Sequence, residues 1–200
     1  NFSDGERIIG ATSSDPKVHP IPEEPLEELE EDSAKPPFAV ALTRDGKAVR
    51  FSISSHFDPS TKNGRRYIGL GGGDEALAVF YSLGDEHVAL ATEQGRAMLF
   101  SVLEIPPKAS AIRGVNAIKL EKGDRILGFA LTQKKRQGLT VWTSRGRELV
   151  VRETSYKPTK RAGKGSIVIR VGSLTRCDWP LVMLAPATEE EPDVDEGGEA

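Results

Sequence analysis

The sequence predicts an all-β fold built from a repeated unit of about fifty residues, and three observations predict it. Twenty glycines and thirteen prolines break up the 200 residues, which favours many short strands over long helices. Three stretches can be laid over one another: FAVALTRDGKAVRFS (38–52), HVALATEQGRAMLFS (87–101) and GLTVWTSRGRELVVR (138–152). Each reads as a strand, a short polar turn with glycine, and a second strand, the pattern of a hairpin whose turn needs a positive φ. A second register of matches supports the first. GERIIG (5–10) resembles GDRILG (123–128), with DEALAV (74–79) a weaker relative, and NGRRYIGL (63–70), RGVNAIKL (113–120) and KGSIVIRV (164–171) share one form.

Taken in order, residues 1–73 form unit one, which carries an acidic, proline-rich insertion at 16–36. Unit two is 74–123, unit three is 124–173, and 174–200 reads as a linker followed by an acidic disordered tail. Within a unit the first strand precedes the hairpin. The turn glycines Gly46, Gly95 and Gly146 are followed by Lys47, Arg96 and Arg147. A last apolar strand opens on Gly64, Gly114 or Gly165. The glycines at 71–73 lack the Lys-Ser/Thr of a phosphate loop and read as a connection between units. Four short strands per period of this length suit a propeller-like array, in which each unit gains its core from its neighbours. Phe51, Phe100 and Trp142 are expected to pack in that core.

The formal net charge of -3 conceals an uneven distribution. EEPLEELEED (23–32) and EEEPDVDEGGE (189–199) contain no Lys or Arg, whereas residues 33–188 hold 25 Lys and Arg against 13 Asp and Glu. A basic body of this kind attracts polyanions, and acidic segments can compete for the same surface. Unit three is the most basic, with 12 cations against Asp124, Glu148 and Glu153. Unit two carries Asp74, Glu75, Asp85, Glu86 and Glu93 and is expected to hold a polyanion least. The longest apolar run near the end, LVMLA (181–185), is too short to span a bilayer, so no membrane partner is expected. A single cysteine, Cys177, excludes an internal disulfide, suits a reducing compartment and has no histidine near it in sequence. His19, His56 and His87 lack paired ligand spacing, so no metal site is expected. Asn1 in first place is what an excised domain or fragment would show.

The segment GRAMLFSVLEIPPKASAIRGVNAIKLEKGDRILGF (95–129) resembles the repeat of the C-terminal domain of the DNA gyrase A protein and of its topoisomerase IV relative. Gly95, Arg96, Phe100, Gly114, Val115, Ile118, Lys119, Leu120, Gly123 and Asp124 fall on that repeat, and the likeness extends over about residues 4–173. It implies a β-pinwheel, a propeller variant with strands exchanged between blades, here a partial set of about three. The gyrase box QRRGGKG is matched by TKRAGKG (159–165) at Arg161, Gly163, Lys164 and Gly165, while Thr159, Lys160 and Ala162 depart from it. A box remnant and an ordinary repeat loop both have this form, so gyrase and topoisomerase IV both stay open.

The resemblance further implies that the domain binds and wraps double-stranded DNA within the A protein of a type II topoisomerase, and is not itself catalytic. The remainder of that A protein and the other topoisomerase subunit would be its protein partners, in the bacterial cytoplasm at the nucleoid. ATP and Mg²⁺ would act on other domains, with no cofactor in this one, and Tyr67, Tyr81 and Tyr156 receive no nucleophilic role. Wrapping needs cations spaced along a convex surface, releasing counterions without reading bases. The candidates are Lys134, Lys135, Arg136, Arg145, Arg147, Lys157, Lys160, Arg161 and Lys164 in unit three, with Arg65, Arg66, Arg113 and Lys119 at equivalent places earlier. The alternative is a propeller-like protein-interaction or scaffold module without wrapping, which would lack the steep salt dependence of duplex binding.

Overall fold

The computed structural model describes residues 6–13, 15, 36–58, 64–108, 111–178 and 182–183. The strands are β1 (Ala11–Thr12), β2 (Phe38–Thr43), β3 (Lys47–Ser52), β4 (Ala76–Ser82), β5 (His87–Thr92), β6 (Arg96–Ser101) and β7 (Pro107–Lys108). They continue as β8 (Val115–Asn116), β9 (Ile126–Thr132), β10 (Gly138–Thr143), β11 (Glu148–Arg152), β12 (Ser166–Ile167), β13 (Leu174–Asp178) and β14 (Val182–Met183). One helical turn, α1, covers Ser54–Phe57. The fold is all-β, as the sequence predicts.

Three antiparallel hairpins organise the described residues: β2–β3, β5–β6 and β10–β11. Each takes its third strand from the sequence that follows it. β4 pairs with β2, β9 with β5 and β13 with β10. The repeat in sequence and the sheet in space are therefore different objects: a sheet is a hairpin plus the opening strand of the next stretch. The outer edges are completed in the same way, by β7 and β8 on β3 and by β12 on β6. β9 also touches β4 and β13, which sets these three on the inner side and leaves β7, β8 and β12 on the outer rim.

Residues 174–178 are not a linker, because Leu174–Asp178 completes the third sheet and buries Leu174. The segments opening on Gly64, Gly114 and Gly165 are not full strands, since only Val115–Asn116, Ser166–Ile167 and the isolated bridge of Ile68 with Ile112 form ladders. The backbone of these segments is satisfied elsewhere. Ala117 N–H donates to the Gly46 carbonyl and Val168 N–H to the Gly95 carbonyl, both at 2.8 Å. The acidic insertion over 16–35 and the tail from 184 lie outside the described residues.

Period-two alternation makes the core. Val40 and Leu42 of the first sheet meet Val88, Leu90, Met98 and Phe100 of the second, where Phe80 and Phe129 pack edge to face at 4.9 Å. Ala89, Ala91 and Leu99 on the opposite face of the second sheet meet Leu139, Val141 and Val151 of the third. Phe51 and Phe100 are buried as expected, whereas Trp142 is only half-buried and lies under the Arg176 guanidinium at 3.8 Å.

At the turn end of the strands, Arg44 binds both Glu75 and Glu93, and Arg7 binds Glu75 at 2.8 Å. The hydrogen bond from Arg44 holds the Glu75 carboxyl below its ordinary value, against the opposing effect of burial and with help from the charges of Arg7 and Arg125. A depressed folded-state value means that the stabilisation is complete above the unfolded value and is lost as pH falls through the folded one. Glu75 is 41 % exposed, so its share is under about 1 kcal/mol. Glu75→Gln is expected to remove that increment above the unfolded carboxyl value and to flatten the acid limb of a melting-temperature profile. An unchanged limb would show that the pair contributes nothing.

Candidate nucleic-acid interface

The outer segments of the three units are tied to one another by a repeated bond. Gly69 N–H donates to the Ile112 carbonyl at 2.9 Å, and Lys119 N–H donates to the Gly163 carbonyl at 2.8 Å. The result is a belt along the outer rim, running through 64–69, 112–119 and 162–170. It carries Arg65 and Arg66, then Arg113 and Lys119, then Lys164, all exposed. Lys157 and Lys160, also exposed, approach the belt from the preceding loop.

That loop does not sit on the third sheet, as its place in the repeat suggests. Thr159 N–H donates to the Leu99 carbonyl and Ala162 N–H to the Ala117 carbonyl, at 2.8 and 2.7 Å, which fixes the loop to the outer edge of the second sheet. Between it and β6 lies a cavity of about 220 Å³ lined by Lys157, Lys160, Lys164, Tyr156, Ser166 and Met98. The hairpin of unit two, which the sequence expects to hold a polyanion least, thus carries the basic loop of unit three on its outer edge. Of the acids of unit two, Glu104 accepts from the Arg161 N–H on this loop and Glu121 lies 3.5 Å from Arg96, while the five that the sequence counts against it are engaged elsewhere. Glu86 is buried, accepting from the Ser82 hydroxyl and the N–H groups of Leu83 and Gly84, and Asp85 accepts from Gln133. Asp74 accepts from Asp45 N–H, and Glu75 and Glu93 are paired with Arg44.

Arg161 is a clamp. Its guanidinium donates to the Glu104 carbonyl at 2.8 Å and the Asn116 carbonyl at 3.1 Å, while its own N–H donates to the Glu104 carboxylate at 3.0 Å. It is expected to position the loop rather than meet a phosphate. Ala162, where the gyrase box has glycine, adopts φ 63°, alone in that region among the described non-glycine residues. Ala162→Gly is expected to stabilise the domain by about 0.5–1 kcal/mol in urea unfolding, because the left-handed backbone strains alanine. A loss of stability would mean that the side-chain contacts of Ala162 outweigh the strain.

The remaining candidates lie off the belt. Gly138 pairs with Arg152 at one end of the third hairpin and Trp142 with Glu148 at the other. Lys134, Lys135 and Arg136 are therefore at the opposite end of the strands from Arg145 and Arg147. Gln137 shapes the former turn, its side-chain oxygen accepting from the N–H groups of Gln133 and Lys134, and Lys135 stands 3.8 Å from Glu153. Lys108 and Arg170, both exposed on outer segments, were not singled out by the sequence reading. Their signal was a position just outside each strand edge, which only the pairing reveals.

Among the described residues no cluster of His, Cys, Asp and Glu could hold a metal, and no helix is long and apolar enough to cross a membrane. His19 lies outside the described residues; burial and the charge of Arg65 lower the pKa of His56. Burial, with the charge of Asp178, pushes the Cys177 thiol up to about 12, which disfavours the thiolate, and its sulfur lies 3.4 Å from the Leu127 carbonyl. Tyr67 stacks on Phe51 at 5.1 Å and Tyr81 is buried, and burial raises both phenols.

The family model described as DNA gyrase C-terminal domain, beta-propeller, matches residues 39–81, 86–133 and 143–174. The DNA gyrase A protein of Aminobacterium colombiense is 31% identical over 144 residues, 72% of this chain and 17% of that protein. Its Staphylococcus epidermidis counterpart is 28% identical over 155 residues, 77% of this chain and again 17% of the relative. The chain thus spans about one sixth of these relatives. Among solved structures, the C-terminal domain of DNA topoisomerase IV superposes with a TM-score of 0.65 at 21% identity, covering 78% of this chain and 49% of that one. The DNA gyrase A C-terminal domain gives 0.57 at 19% identity, covering 76% and 51%. Both likenesses show a β-pinwheel fold, and with the family match over three successive stretches they establish that this chain belongs to the DNA gyrase C-terminal domain family.

Proposed function

We propose that this domain binds duplex DNA along its outer belt and bends it, as part of the A protein of a gyrase-like type II topoisomerase. The observation that carries the reading is the belt itself: three hydrogen-bonded outer segments and the loop before the third, which together present Arg65, Arg66, Arg113, Lys119, Lys157, Lys160 and Lys164 along one rim. Cations so placed neutralise successive phosphates without reading bases, and the release of counterions supplies the affinity. Bending a site-sized duplex costs on the order of 1–6 kcal/mol, which several such contacts together can offset. In the whole enzyme, ATP hydrolysis with Mg²⁺ on other domains would drive strand passage, and the wrapped segment would set the crossing to be resolved. The rest of the A protein and the second topoisomerase subunit, in the bacterial cytoplasm, are the protein partners in this reading.

The test is binding to a duplex of about 40 base pairs over a salt series, with bending read by end-to-end energy transfer. Seven belt contacts predict a log–log slope of about -6, with the ends drawn together. A slope near zero, or binding without bending, would refute wrapping and favour a protein-interaction or scaffold module.

A further inference from the structure

Among the described residues the repeat leaves one outer segment and one hairpin turn without counterparts. In two cases the outer segment of a unit docks on the hairpin before it. Val115 and Asn116 stand opposite Ala48 and Lys47, and Ser166 and Ile167 stand opposite Ala97 and Arg96. The glycine that leads each segment allows the approach. A Cβ at Gly114 would collide with the Ala48 carbonyl, and one at Gly165 would lie 2.6 Å from the Ala97 carbonyl. Three residues on, Ala117 and Val168 donate to the turn glycines Gly46 and Gly95.

The first outer segment has the same shape. Gly64 has φ 66°, beside 78° and 69° at Gly114 and Gly165. The bond from Gly69 to Ile112 repeats that from Lys119 to Gly163, so the segment is already held in its docking conformation. Yet no described residue lies within 4 Å of a Cβ built at Gly64. The third hairpin turn is the mirror case: a Cβ built at Gly46 or Gly95 would meet Leu120 or Ile169, while one built at Gly146 meets no described residue within 4 Å. β11 pairs only with β10 among the described residues. An edge of unpaired backbone groups is a template for another chain.

We propose that these two ends meet between copies, Gly64–Ile68 of one molecule adding to Gly146–Glu148 of a second. The register of the filled edges fixes the contacts. Gly64 would sit over the Glu148 carbonyl, Tyr67 N–H would donate to the Gly146 carbonyl, and Arg65 would stand opposite Glu148. At the filled edges the corresponding pairs are Ala48 with Val115 and Ala97 with Ser166, neither of them charged. Only at the unmatched ends do both members carry charge, and the charges are opposite, as cross-strand pairing favours. Arg66 would face Arg147, a like-charged pair that is exposed on both sides and so screened by solvent. The two surfaces differ, so the contact is heterologous, and each molecule offers one of each.

The test is sedimentation equilibrium of the 200-residue chain from micromolar to millimolar concentration, with circular dichroism to confirm that each variant is folded. The average mass is expected to rise with concentration. Arg65→Glu and Glu148→Arg should each weaken association by about tenfold, and the double exchange should restore it to within about threefold. A monomer at every concentration would overturn the proposal and leave the edge to a further repeat unit of a longer chain. Association indifferent to all three variants would overturn it as well.

Discussion

Exchange of Lys157, Lys160 and Lys164 for alanine together is expected to lower duplex affinity by about two to three orders of magnitude at 0.1 M salt. Each lysine neutralises about one phosphate, so the log–log slope should become shallower by about 2.7. The three line one cavity on a loop whose backbone is bonded to both Leu99 and Ala117, so their removal deletes charge from a fixed place without loosening the fold. Arg161→Ala makes the contrasting case. Its guanidinium already serves the carbonyls of Glu104 and Asn116, so its loss should lower the melting temperature while leaving the salt slope almost unchanged. If instead the triple exchange spares the slope and Arg161→Ala flattens it, the clamp and the contacts have been assigned the wrong way round.

Phe129→Ala should be the most damaging single core change, at about 3–5 kcal/mol in urea unfolding. Phe129 is wholly inaccessible to solvent, sits on the exchanged strand β9 and meets the Phe80 ring edge to face. Truncation removes the ring from water-free surroundings and leaves a cavity between the first two sheets, which surrounding strands from different hairpins cannot easily collapse to fill. Val171→Ala, at a position 72 % exposed, should stay within about 0.5 kcal/mol. A cost under about 1 kcal/mol at Phe129 would mean that the inter-sheet core repacks freely.

The hairpins were legible in the sequence because alternation and a glycine turn are local signals. Gly46, Gly95 and Gly146 all adopt positive φ where the pattern places them. The outer segments were legible as a repeat but not as to their conformation, since KGSIVIRV looks like a strand until the hairpin turn claims its N–H groups. Leu174–Asp178 escaped notice because LTRCD has one apolar anchor and two exposed polar neighbours, so its pairing with β10 comes from topology alone. The basic loop was found by charge, but its host sheet was not, because that depends on bonds to Leu99 and Ala117 some forty to sixty residues earlier. The sequence likewise counts Arg161 as a cation without showing that Glu104 and Asn116 already occupy it.

The borrowing of β4, β9 and β13 governs the order in which the chain can mature as it leaves the ribosome. The β5–β6 hairpin is synthesised by Ser101, yet its inner flank waits for Ile126–Thr132 and its outer flank for Ser166–Ile167. Until then two rows of backbone groups stand open, and the face around Ala89, Ala91 and Leu99 waits for Leu139, Val141 and Val151, in a nascent chain whose early parts cannot finish before its later parts. A deletion or graft cut at the repeat boundary, between 123 and 124, would separate the hairpin upstream of it from both flanks. Shuffling such units without opening an inner edge requires the cut to fall in the loops at 83–86 or 133–137, where the inner flank of one sheet is complete and the next hairpin has not begun.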